Sequence, residues 1–406
     1  MRIALATTEF LTEKTFDGGL ANYVFRVAES LITFGHIPVI FVASDKNEVL
    51  IFKNIEVVRI NEKQFTWWFW FLNVLTLFRL NPSLLFVLRS YRIKSAILKY
   101  NKTRKIDIAQ YTNSMSLGIL LPSKIPCVIR ISSYQKLLDE VYGHKQTFRL
   151  WQKQFLQDLM LKNSQFIFGP SKKIGDFISK KFNKNVEIIE SPFLVDKSVF
   201  DETILNEILT KTSQNPYLLY FGSLTVLKGV TDIAEILNDF FEKHNEYYFV
   251  FVGKTIDVDG VSILEILKEK AGKYYDRIIW KNSLEHKFLY PIIEKADLVV
   301  LPSRIDNFPN TCIEAMAIGK IVIGTFETSF EQLIDNNISG ILCKPANPQS
   351  LINTIDFALK LNNDDKQKMS QNAIDRIEKL KPEIVVKKLI DYYKTVIERN
   401  NNHQSV

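Results

Sequence analysis

Cysteine is scarce in this chain of 406 residues: three occur, Cys127, Cys312 and Cys343, odd in number and far apart. They allow no disulfide framework and no Cys-x-x-Cys metal pattern, so a reducing cytoplasm is the expected compartment. Long apolar runs are lacking too. The opening MRIALATTEF has one basic residue and too short an apolar stretch for a signal peptide, and it reads as a first strand. No Gly-x-Gly-x-x-Gly follows that strand, which weakens a nicotinamide-cofactor reading. No segment is of low complexity. Acid is absent from Lys63 to Ile106.

What is present is an ordinary apolar share and enough chain for two domains of about 200 residues each. Charge is uneven. Residues 1–200 hold 28 Lys and Arg against 16 Asp and Glu, a net +12, while the remainder holds 24 against 29, a net −5. A basic first half points to an anionic partner or surface.

Short β-branched runs alternate with amphipathic stretches. RIALATT is followed by LANYVFRVAESLITFG, with Leu20, Tyr23, Val24, Val27, Leu31 and Phe34 at helical spacing, and then by IPVIFVAS. IDIAQYT, PCVIRIS, SQFIFGPS and NVEIIESP continue the series. The rhythm restarts at NPYLLYFGS and runs through EYYFVFVGK, RIIWKN, ADLVVLPS, KIVIGT and GILCKP. This is the pattern of doubly wound parallel sheets. The expected division is 1–200, 201–385 and a terminal helix with its tail at 386–406, with the polar stretch Asp196–Asn215 as linker. The tail NNHQSV is expected to be disordered.

Three constellations can carry chemistry. In RIDNFPNTCIEAMAIGK, after the strand-like ADLVVLPS, Asn310 is placed to cap a helix starting at Thr311, and its free N–H groups favour phosphate. Asp306 and Glu314 flank that helix start; alone, they also read as a loop acid and a first-turn acid. In YLLYFGSLTVLKG a strand ends at Phe221-Gly222-Ser223, and Lys228-Gly229 opens a helix where a lysine can neutralise phosphate. A solvated surface lysine is the plain alternative. Gly18-Gly19, between the first strand and first helix, permits close approach of backbone to a ligand.

In this order the three pieces resemble the group 1 nucleotide-sugar glycosyltransferases (glycosyltransferase family 4). The resemblance implies an α/β GT-B fold: two Rossmann-like domains facing across a cleft, with a C-terminal helix returning to the first. PSRIDNFPNTCIEAMAIGKIVIGT is similar to the family's Glu-x7-Glu segment, FGSLTVLKG to its Gly-Arg-x4-Lys-Gly phosphate site, and DGGLANYVFRVAESLITFGH to its N-terminal glycine loop and first helix. FGPSKKIGDFI and IIESPFLVDKSVF fit the end of its first domain. The implied activity is metal-independent, retaining transfer of a sugar from a nucleotide diphosphate to a glycan or lipid-linked glycan, in bacterial surface polysaccharide biosynthesis. It implies no cofactor beyond the nucleotide-sugar donor substrate. The implied catalytic set is Asp306, Lys228 and Glu314. Donor binding would fall to Gly18, Gly19, Gly222, Ser223, Lys228, Asn307, Phe308, Asn310, Thr311 and Glu314. Lys228 would hold the diphosphate, Glu314 the ribose hydroxyls and Asp306 the transferred sugar.

Departures from the family pattern bear on donor and acceptor. Asp306 replaces a Glu, Ser223 an Arg, and Pro309 a common Gly. The family's first-domain histidine has no match; PCVIRISSY offers Ser132 on the acceptor side, with Arg130 two residues earlier. A GT-B epimerase of nucleotide sugars, or a non-catalytic membrane-bound sugar- or nucleotide-binding module, are the alternatives. IDVDG (Asp257, Asp259) has the Asp-x-Asp form of metal-dependent GT-A enzymes, a spacing common by chance.

The acid-free stretch opens KQFTWWFWFLNVLTLF, with three of the five tryptophans, and continues with a basic cluster. Its apolar run to Phe78 is too short for a membrane span, and Arg79, Asn81 and Pro82 break it. Two readings stand: an interfacial helix on anionic lipid, or core helices with solvated basic faces. Peripheral attachment at the inner face of the plasma membrane suits an enzyme of lipid-linked glycans. No nucleic-acid recognition module is present.

Overall fold

Arg2–Thr7 buries every residue after its first, as a strand covered on both faces by helices must. In the computed structural model, which describes residues 1–13, 19–62, 66–143, 145–195, 197–257 and 260–404, this run is β1, at the middle of an eight-stranded sheet. The chain continues through α1 (Gly19–Thr33), β2 (Ile37–Ser44), β3 (Glu48–Phe52), β4 (Ile55–Asn61), α2 (Trp67–Leu75) and α3 (Asn81–Asn101). There follow β5 (Ile108–Thr112), β6 (Cys127–Arg130), α4 (Gln135–Tyr142), α5 (Phe148–Asn163), β7 (Ile167–Gly169), α6 (Lys172–Phe182) and β8 (Val186–Ile188). The sheet order is β3-β4-β2-β1-β5-β6-β7-β8, parallel except for β3 against β4.

The second series begins with α7 (Thr203–Lys211), β9 (Tyr217–Phe221), α8 (Val230–Lys243), β10 (Tyr248–Val252), α9 (Ile263–Ala271) and β11 (Ile278–Lys281). It closes with α10 (His286–Lys295), β12 (Leu298–Val300), α11 (Asn310–Ala317), β13 (Val322–Thr325), β14 (Ile341–Cys343), α12 (Pro348–Lys360) and α13 (Asn363–Glu378). Its parallel sheet runs β11-β10-β9-β12-β13-β14. The last helix, α14 (Pro382–Gln404), belongs with the first sheet.

The two compact units are Met1–Pro192 with Lys381–Val406, and Phe193–Leu380. The dividing points therefore lie at 192/193 and 380/381, where the sequence suggested 200/201 and 385/386. The expected linker is not one. Within it α7 buries Leu205 and Ile208, one turn apart, and packs on α10. The tail is likewise helical as far as Gln404, since no proline or glycine interrupts α14. The stripe Val386, Leu389, Tyr393 and Val396 is buried, and the Tyr393 hydroxyl donates to Gln110 Oε1 on β5 at 2.6 Å. The acid-free stretch divides: α3 buries Leu88, Ile93 and Ile97 as a core helix, whereas α2 buries only Asn73.

Candidate functional site

In the second unit the chain goes from β9 to β10 on one side, then returns to lay β12 on the other side of β9. That is a topological switch point, where loops leaving the carboxyl ends of neighbouring parallel strands part to make a ligand crevice. The two loops are Gly222–Gly229, after β9, and Leu301–Pro309, after β12. They carry Lys228 and Asp306.

The loops are joined by backbone and charge. Gly229 has φ +73°, and a Cβ on it would lie 2.0 Å from the Pro302 carbonyl oxygen, so only glycine lets the chains approach this closely. The Arg304 N–H donates to Leu227 O at 2.8 Å. The Arg304 guanidinium takes both oxygens of buried Asp232, at 2.6 Å and 3.1 Å, and this bonding raises its pKa. Thr225 Oγ1 accepts from the Lys228 N–H at 3.2 Å and caps the short turn Val226–Lys228. Lys228 closes that turn and Gly229 caps α8, so the helix opens two residues later than the sequence suggested. The result is direct contact: Lys228 Nζ donates to Asp306 Oδ2 at 2.5 Å across 78 positions of sequence.

Helix α11 starts beside them. Its N-cap is Pro309, with extended backbone and no side-chain cap, and Asn310 is its first residue. The expected capping by Asn310 is thus corrected: the helix begins one residue early, because proline's fixed φ suits the entry. The N–H groups of Asn310, Thr311 and Cys312 have no acceptor inside the helix. Thr311 Cγ2 lies 3.4 Å from where a Gly222 Cβ would stand, so the end of β9 adjoins the start of α11. Ser223 is exposed, and its carbonyl accepts from the Tyr220 hydroxyl at 2.7 Å. Burial, with a contribution from Asp306, pushes the Tyr220 pKa up. Glu314 is buried on α11, with Oε1 3.6 Å from His286 Nε2. Asn307 is half-buried and Phe308 is buried.

In the first unit Gly19 opens α1, while Gly18 lies outside the described residues. Arg130 and Ser132 are together: Arg130 Nη1 donates to Ser132 Oγ at 2.6 Å and Nη2 to Ser191 Oγ at 3.1 Å. The guanidinium also lies 3.5 Å over the Tyr23 ring. Burial lowers the Arg130 pKa and raises that of Tyr23.

Among the described residues no group of three or more His, Cys, Asp or Glu is placed to hold a metal ion. Asp259, half of the Asp-x-Asp pair, lies outside them. The sequence reading missed Arg304, Asp232 and His286. Arg304 stands two residues before Asp306 and Asp232 four after Lys228, but their pairing follows only from the adjacency of β9 and β12.

Residues 201–376 match the family described as Glycosyl transferases group 1. An uncharacterised glycosyltransferase of Methanocaldococcus jannaschii is 25% identical over 45% of this chain and 45% of its own. The N,N'-diacetylbacillosaminyl-diphospho-undecaprenol alpha-1,3-N-acetylgalactosaminyltransferase of Campylobacter jejuni is 24% identical over 54% of this chain and 58% of its own. The chain spans about half the length of the curated relatives it matches. The solved structure of Anabaena HepE in complex with UDP and glucose superposes with a TM-score of 0.68, at 14% identity, covering 97% of this chain and 100% of that one. The fold is GT-B: two Rossmann-like units, with the terminal helix returned to the first.

Proposed function

We propose that the chain is a retaining glycosyltransferase that moves a sugar from a nucleotide diphosphate to a hydroxyl of a glycan or lipid-linked glycan, in the assembly of a bacterial surface polysaccharide. One observation carries this reading: Lys228, Asp306 and the start of α11 meet at the switch point of the second sheet. The leaving diphosphate needs positive charge where its negative charge develops. Lys228 Nζ provides a full charge, and the N–H groups of Asn310 and Thr311 provide the positive end of the helix dipole. Glu314 accepts hydrogen bonds from ribose hydroxyls. Asp306 holds Lys228 before the donor arrives and then turns an oxygen to the sugar hydroxyls. Gly222, Ser223, Asn307 and Phe308 shape the donor wall, with Gly18 and Gly19 on the acceptor unit. Arg130 and Ser132 serve the acceptor side. Lys228 and α11 take the place of a metal ion, so transfer is expected to persist in chelator.

The family match and the relatives' printed activities support this reading, as does the nucleotide in the HepE complex. Residues 63–106 are proposed to rest on the anionic membrane that holds the acceptor. A screen of nucleotide sugars, with and without EDTA, tests the transferase. Release of nucleoside diphosphate is expected. An isomerised donor would assign an epimerase, silence a binding module, and loss of release in EDTA would return the role of Lys228 to a metal.

A further inference from the structure

Helix α2 is inside out. Its buried side chain is Asn73, whose Oδ1 has no hydrogen-bond partner, while Trp67, Trp70, Phe71, Val74 and Leu75 are exposed. These five stand at i, i+3, i+4, i+7 and i+8, the spacing of a helix face that belongs against apolar matter. The chain then turns through Leu77 and Phe78, both at left-handed φ (+49° and +58°) and both exposed, Leu77 at 77%. Such backbone is strained in large side chains, and here it aims two of them outward.

A second apolar face adjoins this tip, in sequence outside the acid-free stretch. On α5, Phe148, Trp151 and Phe155 are exposed and stack along the helix, with ring centroids 5.7 Å and 5.3 Å apart. Gln152, buried between Trp151 and Lys153, ties the two faces: Nε2 donates to Arg79 O at 2.9 Å and Oε1 accepts from Ser83 Oγ at 2.7 Å. Round the first turns of α5 from the stripe, Lys145, Arg149 and Lys153 line a pocket of about 260 Å³ with Thr147 and Leu150. Among the described residues, none of these three cations, nor exposed Arg79, is paired with a carboxylate. Aromatic and aliphatic residues facing outward, with unpaired cations at their flank, complement a bilayer surface of anionic phosphates. Arginine and lysine stems can follow the apolar face while their heads stay at phosphate level.

We infer that α5 and the α2–α3 tip form one seat on an anionic bilayer, in which Lys145, Arg149 and Lys153 take the phosphate of a lipid headgroup. This deepens the membrane reading above by moving its charged contact from residues 63–106 to α5. No helix of the described residues is long and apolar enough to cross the bilayer, so the attachment is interfacial.

Flotation of the full chain with phosphatidylcholine vesicles, with and without phosphatidylglycerol, tests the seat. The wild-type chain floats only with phosphatidylglycerol. Replacing Lys145, Arg149 and Lys153 together by Gln lowers partition about 100-fold, at about 5-fold per cation. Trp151→Ser lowers it about 10-fold. Thermal melts matching the wild type show that both variants fold. Flotation that is unchanged in the triple variant, or independent of phosphatidylglycerol, overturns the proposal. So does displacement from vesicles by millimolar glycerol phosphate, which assigns the pocket to a free phosphate. A dimer in light scattering that Trp151→Ser dissociates would assign the face to a second copy instead. Transfer to a water-soluble acceptor is read separately. Its failure with flotation intact counts against the transferase reading alone.

Discussion

Replacing Lys228 by Ala separates a structural role from a catalytic one, because the two predict losses of different size. Lys228 is 38% exposed at its side chain, and Asp306 is 11% exposed. A pair open to water on one side contributes about 0.2–1 kcal/mol to stability. Lys228→Ala should therefore shift the melting of the second unit by no more than about 4 °C. On the proposed role, a charged hydrogen bond to the leaving diphosphate would contribute about 1.5–3 kcal/mol, so turnover should fall about 10–150-fold. The assay is nucleoside diphosphate release at saturating and at low donor, beside a melt of the same preparation. The loss belongs mainly in kcat, since charge on the departing diphosphate grows toward the transition state. Full turnover in Lys228→Ala, or a melting loss far above 4 °C that accounts for the lost activity, would refute the phosphate assignment. Asp306→Asn frees Lys228 and should leave the melting point within the same limit.

Gly229→Ala drives a Cβ to 2.0 Å from Pro302 O at φ +73° and should cost about 2–4 kcal/mol by urea unfolding; an unchanged midpoint would contradict the close approach. Arg59, buried in the first unit, holds Glu13 through Nε–Oε1 at 2.8 Å and Nη2–Oε2 at 2.9 Å. Arg59→Ala leaves that half-buried carboxylate with only the Ser44 and Thr12 hydroxyls as donors and should cost about 1.5–3 kcal/mol, with a loss below about 0.5 kcal/mol telling against a desolvated pair. Burial pushes the Cys127 and Cys343 thiols up to about 12 and the Cys312 thiol well up. A thiol of raised pKa stays protonated until pH approaches that value. The native chain should thus leave a thiol-reactive disulfide reagent nearly unconsumed at pH 8 and gain no reactivity up to about pH 10, whereas three thiols react on unfolding. Fast reaction of a native thiol at pH 8 would remove the burial argument.

The parallel strands were legible because burial on both faces writes them as unbroken apolar runs, such as YLLYF and YFVFV. The hairpin β3–β4 was not. Val49 and Ile51 of its edge strand stay exposed, and its turn uses Lys53 and Asn54 at left-handed φ, with no glycine to announce it. The stretch around Asn215 looked like a linker because its polar letters outnumber the two buried residues that fix α7. Lys228 and Asp306 could each be found by local pattern, but their contact depends on β12 returning beside β9, a matter of sheet order. The inversion of α2 was also hidden: periodicity defines an apolar stripe without telling which side of the helix meets the protein.

The placement of α14 has a consequence for the order in which the chain matures. All of the second unit lies between Pro192 and Lys381, so the ribosome completes it before the first unit possesses its last helix. Until then Gln110 lacks Tyr393, and the carbonyls of Ile167 and Ile188 lack Tyr392 and Lys388. The second unit can fold during synthesis, whereas the unit made first must wait, incomplete, for α14 to emerge. A nascent chain stalled just after Leu380 should accordingly present a protease with a resistant second unit and a cleavable first one.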